Sequence, residues 1–233
     1  MPIRGNALAI MAKAPLAGLV KTRLVPPLTH QQAAQLCRAL LLDQLENLKA
    51  PDSADRFVAY APDDAEALMR QLGGDDFHYL AQSSGDLGAR MNHVFSDLFR
   101  CGYRRIVLIG SDLPALPLAI LHDAFSRLDG AQRRVVLGPS RDGGYYLVGM
   151  NRPTPQVFEN MTWSHDRVLT QTTKRLTQLG IAYDLIASWF DVDSLDDLRR
   201  LRSLGEPPLH QAMSRTLSYL DQLNQLGCLD EQA

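Results

Sequence analysis

The sequence predicts an α/β fold with three layers (αβα), in which helices cover both faces of a mostly parallel central sheet. Short apolar runs of strand length alternate with amphipathic segments of helical length along the chain. Such alternation is typical of βαβ units, in which helices cover both faces of a parallel sheet. The chain has 233 residues and is 45% hydrophobic, which is enough for the core of one large domain. We therefore predict a single domain over residues 1–233, with residues 205–233 as a C-terminal helical extension.

Strands are predicted where short apolar or β-branched runs stand between turn signals. The first is ALAIMA at 7–12, which is followed by Pro15 and Gly18, and the most strand-like is RRIVLI at 104–109. Further strands are predicted at 56–60, 77–80, 135–137, 145–150 and 182–186.

Helices are predicted where apolar residues recur three or four positions apart. The segment 87–100 shows this spacing from Leu87 through Met91 to Leu98, and it stops at Gly102. Thr29 is a predicted cap for the helix that follows it. The other helices are predicted at 31–48, 63–72, 118–128, 167–179, 195–204 and 210–226.

Composition excludes several classes of protein. The net charge of -2 comes from 24 basic and 26 acidic residues spread along the chain, so no polybasic tract indicates nucleic acid as a partner. No segment has the features of a secretion signal or a membrane span, and we expect a cytoplasmic protein. Cys37, Cys101 and Cys228 fit neither a disulfide framework nor a zinc site, and we interpret them as reduced thiols, with core packing favoured over catalysis.

The segment after the first predicted strand, KAPLAGLVKTRL, carries groups suited to phosphate. Ligands of open α/β sheets bind at the carboxyl ends of strands. Gly18 would let backbone amides approach a ligand, Lys21 supplies a point charge, and Arg23 supplies a bidentate fork. The spacing is neither a Walker loop nor a dinucleotide fingerprint. An ordinary basic loop is the alternative.

Asp112 ends the strand predicted at 104–109, in the sequence GSDLP. A carboxylate in that place needs hydrogen bonds or a cation to offset its loss of water. Magnesium is usually held by one or two carboxylates together with waters and substrate phosphates. Asp112 is therefore a candidate metal ligand, and a cap for the helix after Pro114 is the alternative.

Asp191 and Asp193 precede a predicted helix in the sequence DVDSLDD. Ser194 and the two later aspartates are explained as caps and dipole partners of that helix. Residues two apart on an extended segment share a side. One of the first two aspartates could thus complete a metal site with Asp112 while the other orients it.

The turn GPSRDGGYY allows two interpretations. Asp142 followed by Gly143 is typical of a type I′ hairpin turn, which needs no function. In the functional interpretation, Gly143 and Gly144 give a ligand room against the backbone, and Tyr145 or Tyr146 lines an acceptor or sugar pocket.

Smaller candidates are the polar residues of QSSGDLGAR and the segment TWSHD. The first contains Gln82, Asp86 and Arg90, and the second contains Trp163 and His165. The histidines show no zinc spacing, and His165 is predicted as an exposed loop residue rather than a base.

Taken together, five motifs resemble a bacterial family of glycosyltransferase-like proteins of the radical-SAM/selenodomain-associated transferase type. They are AKAPLAGLVKTRL, GDLGARM, GSDLPAL, GPSRDGGYYLVG and DVDSLDDL, and the resemblance spans about residues 5–204. That family looks like a branch of the nucleotide-diphospho-sugar transferase (GT-A) fold and is similar to the molybdenum-cofactor and 2-phospholactate guanylyltransferases. The Gly-rich first loop of those guanylyltransferases and an adjacent DxD triplet are not found here.

The resemblance implies a role for some of the motifs. Lys21, Arg23 and Asp112 are the implied catalytic residues, and Asp112 and Asp193 are the implied ligands of Mg²⁺ or Mn²⁺. The loop after the first strand is implied to bind the nucleotide, and the candidates in and around it are Ala12, Lys13, Ala14, Gly18, Lys21 and Arg23. Further nucleotide-binding candidates from the residues themselves are Gln82, Asp86, Arg90 and Ser111. The acceptor-binding candidates, which come from the residues themselves, are Asp142, Gly143, Gly144, Tyr145, Tyr146 and Trp163.

These residues predict a metal-dependent transferase that takes a nucleoside triphosphate or a nucleotide-sugar and a small-molecule acceptor. Nucleotidyl transfer and glycosyl transfer are both compatible with the motifs, since neither chemistry requires a protein nucleophile. A nucleotide-binding sensor or scaffold that retains the fold without turnover is the non-enzymatic alternative. The apolar side of the C-terminal helix could cover the core, which is the favoured interpretation, or pair with a second copy of the chain as a homodimer.

Overall fold

The computed structural model describes residues 4–49, 54–203 and 207–228. The chain divides into two compact units. Among the described residues, 4–12, 54–110 and 117–190 form the first, which we call the sheet unit. Residues 13–49, 111–116, 191–203 and 207–228 form the second, which we call the helical unit. The single domain over 1–233 and its extension at 205–233 stay predictions, and residues 205–206 and 229–233 lie outside the described residues.

The strands form one seven-stranded sheet in the described part of the chain, in the order β3-β2-β1-β4-β6-β5-β7. Parallel pairing joins β1 to β4, β2 to β3 and β5 to β7, whereas β6 runs antiparallel to both of its neighbours. The mostly parallel sheet confirms the predicted fold class. The strands are β1 (Arg4–Lys13), β2 (Ala54–Ala61), β3 (His78–Ala81), β4 (Tyr103–Gly110), β5 (Arg134–Pro139), β6 (Tyr145–Met150) and β7 (Ala182–Leu185).

Helices occupy most of the chain between the strands and after them. Within the sheet unit, α2 packs against β3, α3 and α4 against β4, and α5 against β7, so helices flank the sheet. The helices are α1 (His30–Asn47), α2 (Glu66–Gly73), α3 (Leu87–Arg100), α4 (Leu118–Arg127), α5 (Val168–Gln178), α6 (Leu195–Ser203), α7 (Pro207–Ala212) and α8 (Ser214–Gln225). None of the helices in the described ranges combines the length and the apolar character needed to cross a membrane.

The core of the sheet unit lies where the central strands meet α3. Leu108 of β4 and Val148 of β6 are buried in one cluster with Val94 and Leu98 of α3. Full burial of such a side chain contributes about 1.5–3 kcal/mol to folding. The apolar spacing that predicts α3 therefore also identifies the face that holds it on the sheet.

The antiparallel strand β6 sets the position of the turn between β5 and β6. Leu147 of β6 pairs with Ile109 of β4, and Tyr145 pairs with Pro139 at the end of β5. The beginning of β6 thus lies beside the end of β4. As a result, the DGG turn is at the edge of the sheet where the parallel strands have their carboxyl ends.

The helical unit is built around α1, against which α7 and α8 pack. The prediction of one helix at 210–226 is wrong, because the chain breaks at Met213 into α7 and α8. The carboxylate of Asp43, on α1, accepts hydrogen bonds from the backbone N–H groups of Arg215 (3.2 Å) and Thr216 (2.8 Å). These are N–H groups of the first turn of a helix, which have no partner within the helix itself. A carboxylate on another helix therefore fixes where α8 begins.

The cysteines are free thiols, as the sequence predicts. Cys37 is buried on α1 against Val20 and Ala34. The prediction that Cys101 packs in the core is wrong, because Cys101 follows the last residue of α3 and is exposed.

Candidate functional site

The segment that follows β1 carries Lys21 on a sharp turn in the helical unit. Gly18 has φ 83°, and Lys21 itself has φ 49° and ψ 34° at the start of a short 3-10 helix, Thr22–Leu24. The left-handed conformation costs a residue with a side chain about 1–2 kcal/mol, so the surroundings must hold Lys21 there. Val20, which packs with Ala34 and Cys37, anchors one side of the turn.

The ammonium of Lys21 lies between two carboxylates from distant parts of the sequence. Its Nζ is 2.8 Å from Oδ2 of Asp112 and 3.0 Å from Oδ1 of Asp193. It also donates a hydrogen bond to the carbonyl oxygen of Val192. An ammonium has three N–H donors, so each has an oxygen acceptor.

Burial differs across this cluster. The Lys21 side chain is only 4% exposed, whereas Asp112 and Asp193 are 33% and 42% exposed. The ammonium therefore lies beneath the carboxylates, which keep part of their surface open to water.

The pKa of Lys21 reflects two opposed effects. Burial lowers the pKa of the ammonium, but the charges of Asp112 and Asp193 and the hydrogen bonds to both carboxylates raise it by more. The resulting pKa lies above that of an ordinary lysine, so Lys21 keeps its proton at every physiological pH.

Backbone contacts hold the two aspartates in place. Val192 N–H donates to the carbonyl oxygen of Asp112 at 3.1 Å, which joins the loop after β4 to the segment before α6. Asp193 N–H donates to Oδ2 of Asp197 at 3.2 Å, and Ser194 and Asp197 cap the start of α6 reciprocally. The predicted capping role of Ser194 and Asp197 is thereby confirmed, and Asp193 is left free to face Lys21.

Arg23 lies at the rim of the same cluster. Its Nη1 is 3.5 Å from Oδ2 of Asp193, and its side chain is 71% exposed. An exposed ion pair of this kind contributes little to stability. The guanidinium is therefore available to a ligand at low cost.

The oxygen atoms around Lys21 suit a divalent cation of the hard type. They are two carboxylates and one backbone carbonyl, the ligand types that Mg²⁺ prefers. No group of three or more His, Cys, Asp and Glu side chains that could hold a metal occurs in the described ranges. Mg²⁺ bound mainly through substrate phosphates does not need such a group, since one or two carboxylates are sufficient.

The other residues predicted to bind nucleotide in the helical unit differ in accessibility. Lys13 is exposed, while Ala14 is buried and could contact a ligand only through its backbone. The hydroxyl of Ser111 donates to Oδ1 of Asp112 at 3.4 Å. Gly18 is exposed, and a Cβ built on it would meet nothing within 4 Å. Their role in nucleotide binding stays a prediction.

The predicted nucleotide-binding residues of the sheet unit have structural contacts of their own. Gln82 donates to the carbonyl oxygens of Ala12 (3.3 Å) and Ala59 (2.7 Å), which ties together the ends of β1 and β2. Asp86 accepts from the backbone at the start of α3 as its N-cap, and Arg90 donates to the carbonyl oxygen of Gly85. A role in nucleotide binding stays a prediction for these residues also.

The DGG turn is held by its own aspartate. Asp142 Oδ1 accepts from Ser140 Oγ and from Gly144 N–H. Gly143 has φ 84°, and a Cβ there would lie 2.0 Å from the backbone carbonyl oxygen of Asp166. The glycine is thus required by close backbone packing, whatever the turn does in addition.

The predicted acceptor-binding aromatic residues contribute to packing in the sheet unit. Tyr146 is buried and donates to the carbonyl oxygen of Ala187. Tyr145 and Trp163 meet edge to face, with ring centroids 6.4 Å apart. Trp163 also covers Gly88 so closely that a Cβ there would lie 2.6 Å from the indole. Acceptor binding by Asp142, Gly143, Gly144 and these aromatic residues stays a prediction.

The carbonyl oxygen of Val192 is the part of the cluster that sequence reasoning missed. A backbone acceptor has no signature in residue type. The only available signal was its position between Asp191 and Asp193, two residues that drew attention for their carboxylates.

The fold is that of the nucleotide-diphospho-sugar transferases. A "putative nucleotide-diphospho-sugar transferase" from Desulfovibrio desulfuricans G20 has a TM-score of 0.86 and 30% identity over 95% of this chain and 96% of that chain. A cytidylyltransferase from Leptospira borgpetersenii serovar Hardjo-bovis (strain JB197) has a TM-score of 0.58 and 11% identity over 98% and 97%. CMP:2-keto-3-deoxy-manno-octonic acid synthetase, complexed with CTP, has a TM-score of 0.51 and 13% identity over 86% and 98%. The last two show likeness of fold alone.

The chain belongs to the family described as "Uncharacterized protein conserved in bacteria (DUF2064)", whose model matches residues 44–165. This membership and the Desulfovibrio structure support the transferase family that the five motifs resemble. No curated protein matches the chain in sequence.

Proposed function

We propose that this chain is a Mg²⁺-dependent transferase that uses a nucleoside triphosphate or a nucleotide-sugar and transfers part of it to a small-molecule acceptor. The observation that carries the proposal is the ammonium of Lys21 held between Asp112 and Asp193. Support comes from the fold, since the neighbour at 30% identity carries the name of a nucleotide-diphospho-sugar transferase. Neighbours of lower identity include a cytidylyltransferase and a synthetase that binds CTP.

Asp112 and Asp193 would hold Mg²⁺ or Mn²⁺ through carboxylate oxygens. A divalent ion bound there offsets negative charge on the phosphates and stabilises the departing group. Lys21 and Arg23 add two positive charges next to the same oxygens, the first buried and the second exposed. With the metal and the nucleotide bound, both cations would contact the phosphates and stabilise the charge that develops on the leaving group.

Direct attack by the acceptor fits the chemistry of this cluster. Burial raises the pKa of the nearby Cys37 thiol to about 12, so the thiol is protonated at neutral pH and is a poor nucleophile. Positioning and electrostatic stabilisation are sufficient for phosphoryl-type transfer. The acceptor itself therefore serves as the nucleophile.

The first experiment is a thermal-shift screen of nucleoside triphosphates and nucleotide-sugars with and without Mg²⁺, because a ligand of the native state raises its stability. Products are then identified for each ligand that stabilises the protein. Release of pyrophosphate from a triphosphate identifies nucleotidyl transfer, and release of a nucleoside diphosphate identifies glycosyl transfer. Binding without any product, for every acceptor tried, would favour a sensor or scaffold.

The second experiment is the substitution Asp112→Asn with Asp196→Asn as the matched control. Asp196 is on the first turn of α6, is 86% exposed and pairs only with Arg199 at 3.0 Å in the described structure. We expect Asp112→Asn to lower metal-dependent turnover by about 100-fold or more, as for loss of an electrostatic group that stabilises a transition state. Asp196→Asn should leave turnover within about twofold. Full turnover in Asp112→Asn would contradict the proposed site.

A further inference from the structure

Lys21 occupies the position in which a cation is best coordinated in this cluster. Three oxygens surround its Nζ, from Asp112, Asp193 and the backbone of Val192. The same oxygens are those that a divalent ion would take in the function proposed above. The ammonium competes with a metal ion for these carboxylates, because its charge already offsets theirs and it takes one oxygen of each.

We propose that Lys21 acts as a tethered cation that excludes free divalent ions, so that a metal enters only together with a polyphosphate that draws the ammonium away. This inference rests on the proposed function and concerns the order in which its ligands bind. Metal alone offers Lys21 no new acceptor. A polyphosphate offers new acceptors, because its oxygens replace the protein oxygens that the ammonium gives up.

Burial makes the exclusion effective. The Lys21 side chain is 4% exposed, so an ammonium displaced by metal alone would leave its three acceptors without gaining water in the same place. The carboxylates are a third or more exposed. Their open side therefore remains accessible to an incoming metal–phosphate complex.

The net charge of the cluster also disfavours binding of a free divalent ion. Lys21 and Arg23 together balance Asp112 and Asp193, and the four groups sum to zero. Replacing Lys21 by a neutral side chain leaves one net negative charge at the oxygens. Affinity for a free divalent ion must then rise.

The test measures Mn²⁺ binding by electron paramagnetic resonance in the full chain without nucleotide. We expect Lys21→Met to bind Mn²⁺ at least about tenfold more tightly than the wild type, since a unit charge within hydrogen-bonding distance of both carboxylates is removed. The matched control is Arg23→Met, which removes the same charge from an exposed side chain and should change the affinity by no more than about threefold. Equal or weaker Mn²⁺ binding by Lys21→Met than by the wild type would overturn the inference.

A second measurement follows the ¹⁵N signal of the Lys21 ammonium in the wild type, and it tests the proposal even if Lys21→Met does not fold. The buried ammonium should give a slowly exchanging ¹⁵N signal. Millimolar Mg²⁺ should leave that signal in place, and Mg²⁺ with inorganic tripolyphosphate should shift it. A shift with Mg²⁺ alone, or no shift with tripolyphosphate, contradicts the proposal.

These outcomes separate the inference from the function on which it rests. Metal-dependent turnover without tighter Mn²⁺ binding by Lys21→Met would refute the tethered cation and leave the transferase standing. Tighter Mn²⁺ binding without product from any nucleotide would support the tethered cation and count against turnover.

Discussion

Replacing Asp43 by alanine should strongly destabilise the packing of α8 on α1. Asp43 is 4% exposed, and its carboxylate accepts four hydrogen bonds from two residues of α8. Thr216 donates through its backbone N–H at 2.8 Å and its hydroxyl at 2.7 Å. Arg215 donates through its backbone N–H at 3.2 Å and its guanidinium at 3.3 Å.

The magnitude follows from what each donor loses. Hydrogen bonds to a charged acceptor contribute about 1.5–3 kcal/mol each, but removal of the carboxylate also relieves its own desolvation. The Arg215 guanidinium is 47% exposed and can return to water, so it adds little. The two donors of Thr216, a residue that is 0% exposed, are left without an acceptor. We expect a net loss of about 3–4 kcal/mol in the free energy of unfolding, since each unsatisfied buried donor costs about 1–3 kcal/mol.

Urea denaturation at 25 °C, followed by circular dichroism, measures this loss. Asp43→Asn keeps the shape and one acceptor oxygen, and it should lose about half as much. Thr216→Val removes one donor and leaves the carboxylate its remaining partners, at a cost of about 1 kcal/mol. A loss below about 1 kcal/mol in Asp43→Ala would refute the reasoning that the carboxylate fixes the start of α8.

Three further outcomes are expected. Gly143→Ala should lower the free energy of unfolding in urea by more than about 2 kcal/mol, because residue 143 has φ 84° and its Cβ would lie 2.0 Å from the carbonyl oxygen of Asp166. A free energy of unfolding equal to that of the wild type would show that the turn can move. At pH 8 the exposed thiol of Cys101 should react with a disulfide reagent while Cys37 does not, because the reaction requires a thiolate and burial raises the pKa of Cys37 to about 12. Mass mapping of both thiols measures the labelling, and rapid labelling of Cys37 in the folded chain would contradict the prediction. Asp86→Ala should lower the free energy of unfolding by about 1 kcal/mol through loss of the α3 cap, and isothermal titration with a nucleotide from the screen would show whether Asp86 also contacts ligand.

Elements whose signals are local could be predicted from the sequence to the residue. The helix α3 and the strand β6 have the predicted bounds, Leu87–Arg100 and Tyr145–Met150. In α3 the predicted apolar spacing lies within the segment itself, and the predicted stop at Gly102 follows it closely. The boundary between α7 and α8 could not be predicted in this way, because the carboxylate that caps α8 is on α1.

The candidate site was predictable in outline. Because β1 and β4 are parallel neighbours, with Met11 opposite Gly110, the residues that follow them emerge at one edge of the sheet. This rule of topology brings Lys21 near Asp112 without any knowledge of side chains. The burial of the Lys21 ammonium could not be predicted, since it depends on a left-handed turn at a residue that is not glycine and on a backbone carbonyl.

The division of the chain was also beyond sequence reasoning. The helical unit takes its residues from three separate segments, and no linker or change of composition marks their ends. Units of this kind are recognised from contacts between residues that are distant in sequence, and the composition of the chain does not predict such contacts.

The contact between Lys21 and Asp193 joins residues 172 positions apart. During synthesis on the ribosome, Lys21 therefore cannot form this contact until Asp193 has been made. Contacts between such distant positions slow folding, because a long loop must close before the contact is formed. A nascent chain that stops short of Asp193 cannot complete the cluster, and any activity that depends on the cluster requires the chain at least through Asp193.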